Sequence, residues 1–250
     1  MRPRVTFYLL LTVVFGCRTA DRRETARQGN DRLFETRQRR PSHPGADLPD
    51  TRLAMGDAGI DHREDAGVDH LAENRWESWQ ERLLSLSGDL RPSIFWHFIG
   101  SIQGRALKRF YRPLYSLDSL GSLSHASGLS RLAMEAGTPQ RVLVEVNVCR
   151  DPGRTGILPE SLLAEIERLA ALPGLRLEGL MVMGPIPGSL QSPSTSEVFH
   201  EGFSLFGEAR KMIPSMATLS MGMSEDYREA IRWGSTEVRI GRSLFEGAQR

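Results

Sequence analysis

The chain has few cysteines and almost no lysine. Cys17 and Cys149 are its only cysteines, too few for a disulfide framework or for a zinc site built from cysteines. Lysine and arginine together number 32, and all of them except Lys108 and Lys211 are arginine. A formal net charge of +1 gives no general attraction to nucleic acid or to an acidic membrane surface. A chemistry that needs a lysine amine therefore has only two candidate residues.

The N-terminal part of the chain differs from the rest in composition. Residues 5–15 form an apolar stretch after two arginines, and Gly16 and Cys17 follow it. This pattern is typical of a secretory or lipoprotein leader, and the stretch is too short to span a membrane comfortably. The following segment is rich in Arg, Asp, Gly and Pro without periodicity, which is typical of disorder. The predicted organisation is a leader-like segment (1–17), a disordered or misassigned segment (18–58) and a folded domain (59–250).

In the folded domain, short apolar runs alternate with amphipathic segments. This alternation favours a parallel α/β sheet, and a length of 250 residues suits one (β/α) barrel. Six strands are recognisable, and a seventh is expected near Asn74. Since a closed barrel of this type has eight strands, we expect it to be incomplete at the first strand. Strands are expected at 94–99, 142–148, 177–183 and 237–240, and helices at 125–136 and 159–172.

The segment 218–245 reads as strand, glycine turn, helix, glycine turn and strand. Both strands end at a glycine, Gly222 and Gly241, and Ser224 follows the first of them. In a parallel barrel the loops after the last two strands often bind phosphate, because backbone N–H groups and a hydroxyl converge there. Ser224 also precedes two acidic residues, so a purely structural role as a helix cap remains an alternative.

Several segments resemble, in the correct order, the pyridoxal-phosphate homeostasis protein family, whose members look like the N-terminal barrel of alanine racemase standing alone. WHFIGSIQ matches a specific Trp-His-Phe-Ile-Gly signature, and the C-terminal segment matches the family's last motif. The resemblance covers about residues 61–250 and implies a TIM-type α/β barrel of the alanine racemase N-terminal class that binds pyridoxal 5′-phosphate (PLP). The other matching segments are LAENRWESW (71–79), VLVEVNV with GRTGI (142–157) and LEGLMVMG (177–184).

The resemblance also implies which residues contact the cofactor. The Ser224 hydroxyl and the N–H groups of Gly241 and Arg242 are expected to bind its phosphate. Asn74 is expected to hydrogen-bond near the ring hydroxyl, and Met223 to pack beside the ring.

The resemblance places Arg239 at the pyridine nitrogen but provides no covalent anchor. A guanidinium only donates hydrogen bonds, so Arg239 is expected to keep this nitrogen unprotonated. Family members hold PLP as a Schiff base with a lysine at the end of the first strand. The corresponding stretch, residues 51–55, contains no lysine, and Lys108 and Lys211 lie far downstream. Arginine cannot replace the amine because it stays protonated.

The implied function is PLP binding for intracellular PLP homeostasis in the cytoplasm, without a covalent lysine anchor and with PLP-dependent apoenzymes as recipients. One alternative is a PLP-dependent racemase or decarboxylase-like enzyme, which would need a lysine and a second acid or base. Another is a degenerate envelope paralogue that no longer binds the ligand. The N-terminus is either a true leader, implying export, or the product of a misassigned reading frame up to about residue 58. We favour the second, because it explains both the missing lysine strand and the upstream composition.

Overall fold

A computed structural model shows an eight-stranded closed barrel in which each strand lies beside the next one in sequence. Strands β2 to β8 run parallel, which confirms the predicted (β/α) barrel. The structure describes residues 12–16, 70–85, 94–102, 107, 114–186 and 193–241. The strands are β1 (Thr12–Gly16), β2 (His70–Glu73), β3 (Phe95–Phe98), β4 (Ser116–Leu120), β5 (Gln140–Val146), β6 (Leu175–Val182), β7 (Thr218–Met221) and β8 (Glu237–Ile240).

Helices follow most of the parallel strands and cover the outside of the barrel. Within the described part of the chain, none of them is long and apolar enough to cross a membrane. A 3-10 turn at Pro159–Ser161 precedes the third helix. The helices are α1 (Trp76–Ser85), α2 (Leu123–Glu135), α3 (Leu162–Ala170), α4 (Thr195–Met212) and α5 (Tyr227–Arg232).

Strand β1 comes from the leader-like segment and closes the barrel. It pairs with both β2 and β8, and it runs antiparallel to each of them. Val13 lies opposite Ile240 and Gly16 lies opposite Glu237. The expected gap at the first strand is therefore filled, although by a strand of reversed direction. An apolar run rich in β-branched residues suits this place, because it satisfies two strand edges that would otherwise be unpaired.

The main hydrophobic core lies between the barrel and its helices. Val144, Leu180 and Leu219 point outward from neighbouring strands and are fully buried. Helix α4 covers them with Phe199, which is also fully buried. Helix α3 lies within the predicted helical range 159–172 and buries Leu162, Ile166 and Leu169 against the barrel. With the apolar residues of these strands directed outward, the polar residues of the same strands are left to line the inside of the barrel.

The placement of β1 leads to a testable prediction. Val14 lies opposite Arg239 in the sheet, between two hydrogen-bonded neighbours. Proline has no backbone N–H, so Val14→Pro should remove a ladder hydrogen bond and lower the free energy of unfolding by about 1–3 kcal/mol. Urea denaturation of the full chain measures this, with Val14→Thr as the control that keeps the N–H. An unchanged midpoint in Val14→Pro would contradict the antiparallel pairing.

Candidate functional site

The first residues after β7 and β8 lie together at the carboxyl end of the barrel, in a group here called the cradle (Gly222, Ser224 and Gly241). The Gly241 N–H donates to the Ser224 hydroxyl over 3.3 Å. Gly222 has a φ of +96°, and a Cβ atom there would lie 2.7 Å from the Cβ of Ala230. Only glycine fits this turn, which folds the β7 loop back over helix α5 and toward the end of β8. The predicted convergence of an N–H group and a hydroxyl is therefore present.

The helix beside the cradle begins later than its sequence indicates. Ser224 and its acidic neighbours predict a helix start, but α5 begins at Tyr227. Asp226 instead fixes the loop, because its carboxylate accepts a 2.6 Å hydrogen bond from the N–H of Met223. Burial raises the pKa of Asp226, while the Met223 N–H and the Arg239 guanidinium act in the opposite direction. The loop is thus held in shape by the half-buried carboxylate of Asp226, for which the sequence pattern predicts a place in the helix start instead.

Arg239 lies inside the barrel beneath the cradle and is almost completely buried. Its guanidinium donates to the Ser220 hydroxyl over 2.6 Å and to the carbonyl oxygen of Val182 over 3.0 Å. Its backbone N–H donates to the carbonyl oxygen of Gly222 over 2.9 Å. Burial lowers the pKa of Arg239, while nearby carboxylates raise it. The side chain is therefore a fixed, strongly oriented hydrogen-bond donor that faces the barrel interior.

The remaining predicted residues lie around the same rim or outside the described residues. Asn74 directly follows β2 and is exposed. A Cβ atom on Gly100 would collide with the Asn74 backbone, so the loops after β2 and β3 approach closely. The Met223 side chain is 38% exposed, beside the cradle. Arg242 lies outside the described residues, so its phosphate contact stays a prediction.

No lysine of the described residues reaches the cradle. The Nζ atom of Lys211 donates to Glu208 over 2.7 Å on the surface of α4. Lys108 lies outside the described residues, and so does the stretch 51–55, which corresponds to the position of the family lysine. Because β1 is antiparallel, its carboxyl end at Gly16 lies beside Glu237, at the rim opposite the cradle. The amino end of β1, and not its carboxyl end, therefore lies on the side of the barrel where the cradle is.

Sequence reasoning missed a second set of polar residues inside the barrel. Ser116 and Asp118 flank the buried Leu117 on β4, and polar residues at every second position of an apolar strand were the signal that could have found them. Asp118 lies 2.7 Å from His97, which belongs to the Trp-His-Phe-Ile-Gly signature. Glu237 at the start of β8 lies across the barrel from both. The interior therefore carries two polar regions, one at the cradle and one deeper.

Comparisons with known proteins agree with this architecture. The sequence model of the family described as alanine racemase, N-terminal domain, matches residues 62–249. The pyridoxal phosphate homeostasis protein of Pasteurella multocida is 33% identical over 183 residues, covering 72% of this chain and 77% of that protein. Its counterpart from Homo sapiens is 32% identical over 188 residues, covering 72% of this chain and 66% of that protein.

Solved structures give the same result. PipY of Synechococcus elongatus without PLP superimposes with a TM-score of 0.66 at 30% sequence identity, covering 73% of this chain and 84% of that one. A second structure of PipY has PLP bound, with a TM-score of 0.62 at 29% identity. Alanine racemase of Clostridium difficile, at 18% identity and a TM-score of 0.58, shares the fold. The chain belongs to the family of pyridoxal phosphate homeostasis proteins, built on the alanine racemase N-terminal barrel.

Proposed function

We propose that this chain binds PLP without a covalent bond and takes part in PLP homeostasis inside the cell. The observation that carries the proposal is the convergence of the Ser224 hydroxyl and the Gly241 N–H above the buried Arg239. Relatives named pyridoxal phosphate homeostasis proteins and the PLP-bound PipY structure support the choice of ligand. Delivery to PLP-dependent apoenzymes in the cytoplasm is the finer part of the proposal.

The phosphate end of PLP fits the chemistry of the cradle. The Gly241 N–H and the Ser224 hydroxyl now bond to each other over 3.3 Å. Both groups can donate to a phosphate oxygen instead, and hydrogen bonds to an anion are stronger than the neutral bond they replace. Gly222 keeps this loop free of a side chain at its tightest point. We expect the N–H of Arg242, the next residue after Gly241, to add a third donor.

The ring end of PLP fits Arg239. When bound, PLP supplies a reactive aldehyde and a ring that accepts electrons best when its nitrogen is protonated. Arg239 can only donate, so it holds the nitrogen in its unprotonated form. Ser220 and the Val182 carbonyl fix the direction of the guanidinium. Such a site binds the ring and weakens it as an electron acceptor, which suits storage and delivery better than turnover.

The aldehyde end has no amine partner among the described residues. Lys211 is paired with Glu208 on the outer surface, away from the barrel interior. A racemase or decarboxylase would need an amine at this position and a second acid or base. The proposed binding function needs neither of these groups.

Replacing the cradle serine tests the phosphate site. Ser224→Ala removes one charge-assisted hydrogen bond and should weaken PLP binding by about 1.5–3 kcal/mol, roughly ten- to a hundredfold in Kd. Fluorescence or absorbance titration of PLP measures the change. Ser122→Ala is the matched control, because Ser122 caps α2 at the same end of the barrel. Equal affinity of Ser224→Ala and wild type for PLP would refute the site.

Replacing the buried arginine tests the ring contact. Arg239→Met keeps much of the side-chain volume but loses the donors, so PLP binding should fall more than binding of inorganic phosphate. Calorimetric titration with both ligands gives the two losses, and circular dichroism verifies that the variant is folded. If the two affinities fell by the same factor, Arg239 would not face the ring.

Reduction with borohydride tests the absence of a covalent anchor. PLP bound to the full chain should separate from the protein after borohydride treatment and denaturation, because no lysine amine is expected at the aldehyde. Mass spectrometry of the intact chain provides the measurement. A reduced PLP adduct on Lys108 or Lys211 would show that the binding is covalent.

A further inference from the structure

Three potential metal ligands meet in the interior of the barrel, in what is here called the inner cluster (His97, Asp118 and Glu237). One donor atom from each residue lies within 4.8 Å of the others. They come from β3, β4 and β8, and β8 is not a neighbour of the other two strands. The three side chains must therefore meet across the inside of the barrel. His97 is 3% exposed and Asp118 is fully buried.

The hydrogen bonds around His97 leave an acceptor facing an acceptor in one of its tautomers. The Nε2 atom of His97 lies 2.8 Å from Nδ1 of His70. When Nε2 carries the proton and donates it to His70, the bare Nδ1 faces the Oδ2 atom of Asp118 over 2.7 Å. Two acceptors at this distance repel each other unless a proton or a metal cation lies between them. In the other tautomer Nδ1–H donates to Asp118 and Nε2 accepts from His70, so both contacts are ordinary hydrogen bonds. A zinc ion on Nδ1 would select the first tautomer, with Nε2–H held by His70, as the second nitrogen of a metal-bound imidazole commonly is.

The carboxylates of the inner cluster point to a cation in the same way. Ser116 donates to the Oδ1 atom of Asp118 over 2.6 Å and so orients this carboxylate. The Oε1 atom of Glu237 is buried and has no hydrogen-bond partner among the described residues. A buried carboxylate oxygen without a partner is costly, and a cation bound there would remove the cost.

We propose that the inner cluster binds one zinc ion through His97, Asp118 and Glu237. Zinc takes imidazole nitrogens and carboxylate oxygens at about 2.0–2.2 Å, so three ligands around one ion lie roughly 3–4 Å apart. To reach this range, the largest separation of up to 4.8 Å must close and the 2.7 Å contact between His97 and Asp118 must open slightly, through small side-chain rotations. An imidazole ligand favours zinc over magnesium, which prefers an all-oxygen octahedron.

This site is separate from the cradle and does not rest on the proposed function. Glu237 begins β8, whereas Gly241 directly follows the end of that strand. At about 3.3 Å per residue, the Cα atom of Glu237 lies on the order of 13 Å along β8 from that of Gly241, so the inner cluster lies deeper in the barrel than the cradle. Arg239 lies between the two levels and donates to Ser220 and Val182. Zinc binding can therefore be measured without PLP.

Zinc retention by the full chain tests the proposal. Protein stripped with a chelator, incubated with zinc chloride and desalted should retain about one zinc ion per chain. Glu237→Gln keeps the shape of the side chain but weakens the ligand, so calorimetry should show at least about a tenfold loss of zinc affinity. Glu145→Gln is the matched control, because Glu145 is another buried carboxylate and is bonded to Thr155 at 2.9 Å outside the inner cluster. This control should bind zinc like the wild type.

Three results would overturn the site. The first is wild-type protein that retains no zinc after desalting. The second is Glu237→Gln binding zinc as tightly as wild type, which would place the ion on other histidines. The third is an equal loss in Glu237→Gln and Glu145→Gln. If Glu237→Gln fails to fold, the visible spectrum of cobalt(II) bound to the wild-type protein tests the site instead. The visible bands of a low-coordinate nitrogen and oxygen site support the inner cluster, and a spectrum of hydrated cobalt refutes it.

Discussion

The buried guanidinium of Arg239 fixes the last three strands of the barrel relative to one another. A charged group without hydrogen bonds could not stay inside the protein, and Arg239 obtains its bonds from the carbonyl of Val182 on β6 and the hydroxyl of Ser220 on β7. Its backbone N–H donates to the carbonyl oxygen of Gly222, the residue directly after β7. The positions of the strand ends that carry the cradle are therefore fixed by the hydrogen bonds of one residue, Arg239. The proposed phosphate site needs such support, because its donors act only when they hold one position.

The barrel interior changes chemical character along its axis. At the carboxyl end, the residues after β7 and β8 provide two hydrogen-bond donors, the Ser224 hydroxyl and the Gly241 N–H. Deeper inside, the imidazole and carboxylates of the inner cluster are mostly acceptors. Donors attract anions and acceptors attract cations, so the two regions suit ligands of opposite charge. Arg239 lies between them and faces both.

The sequence predicted the elements that depend on local patterns. Glycines at the ends of β7 and β8, together with β-branched residues in β8, were enough to place the cradle, and the alternation of strands and helices was enough to predict the barrel. Contacts between distant residues were not predictable in the same way. The bond from Met223 to Asp226 depends on how tightly the loop turns at Gly222. The meeting of Glu237 with His97 depends on barrel closure, which no single segment encodes.

The direction of β1 could not be predicted from its residues either, since an apolar β-branched run suits a buried strand and a leader equally well.

The position of β1 next to a leader-like cleavage pattern has a consequence for proteolysis of the chain. A peptidase that cut between Gly16 and Cys17 would detach the whole of β1, and the edges of β2 and β8 would lose their shared partner. Such a cut would leave the residues from 17 onward with seven of the eight described strands, and the barrel would then stay closed only if β1 remained bound without a covalent link.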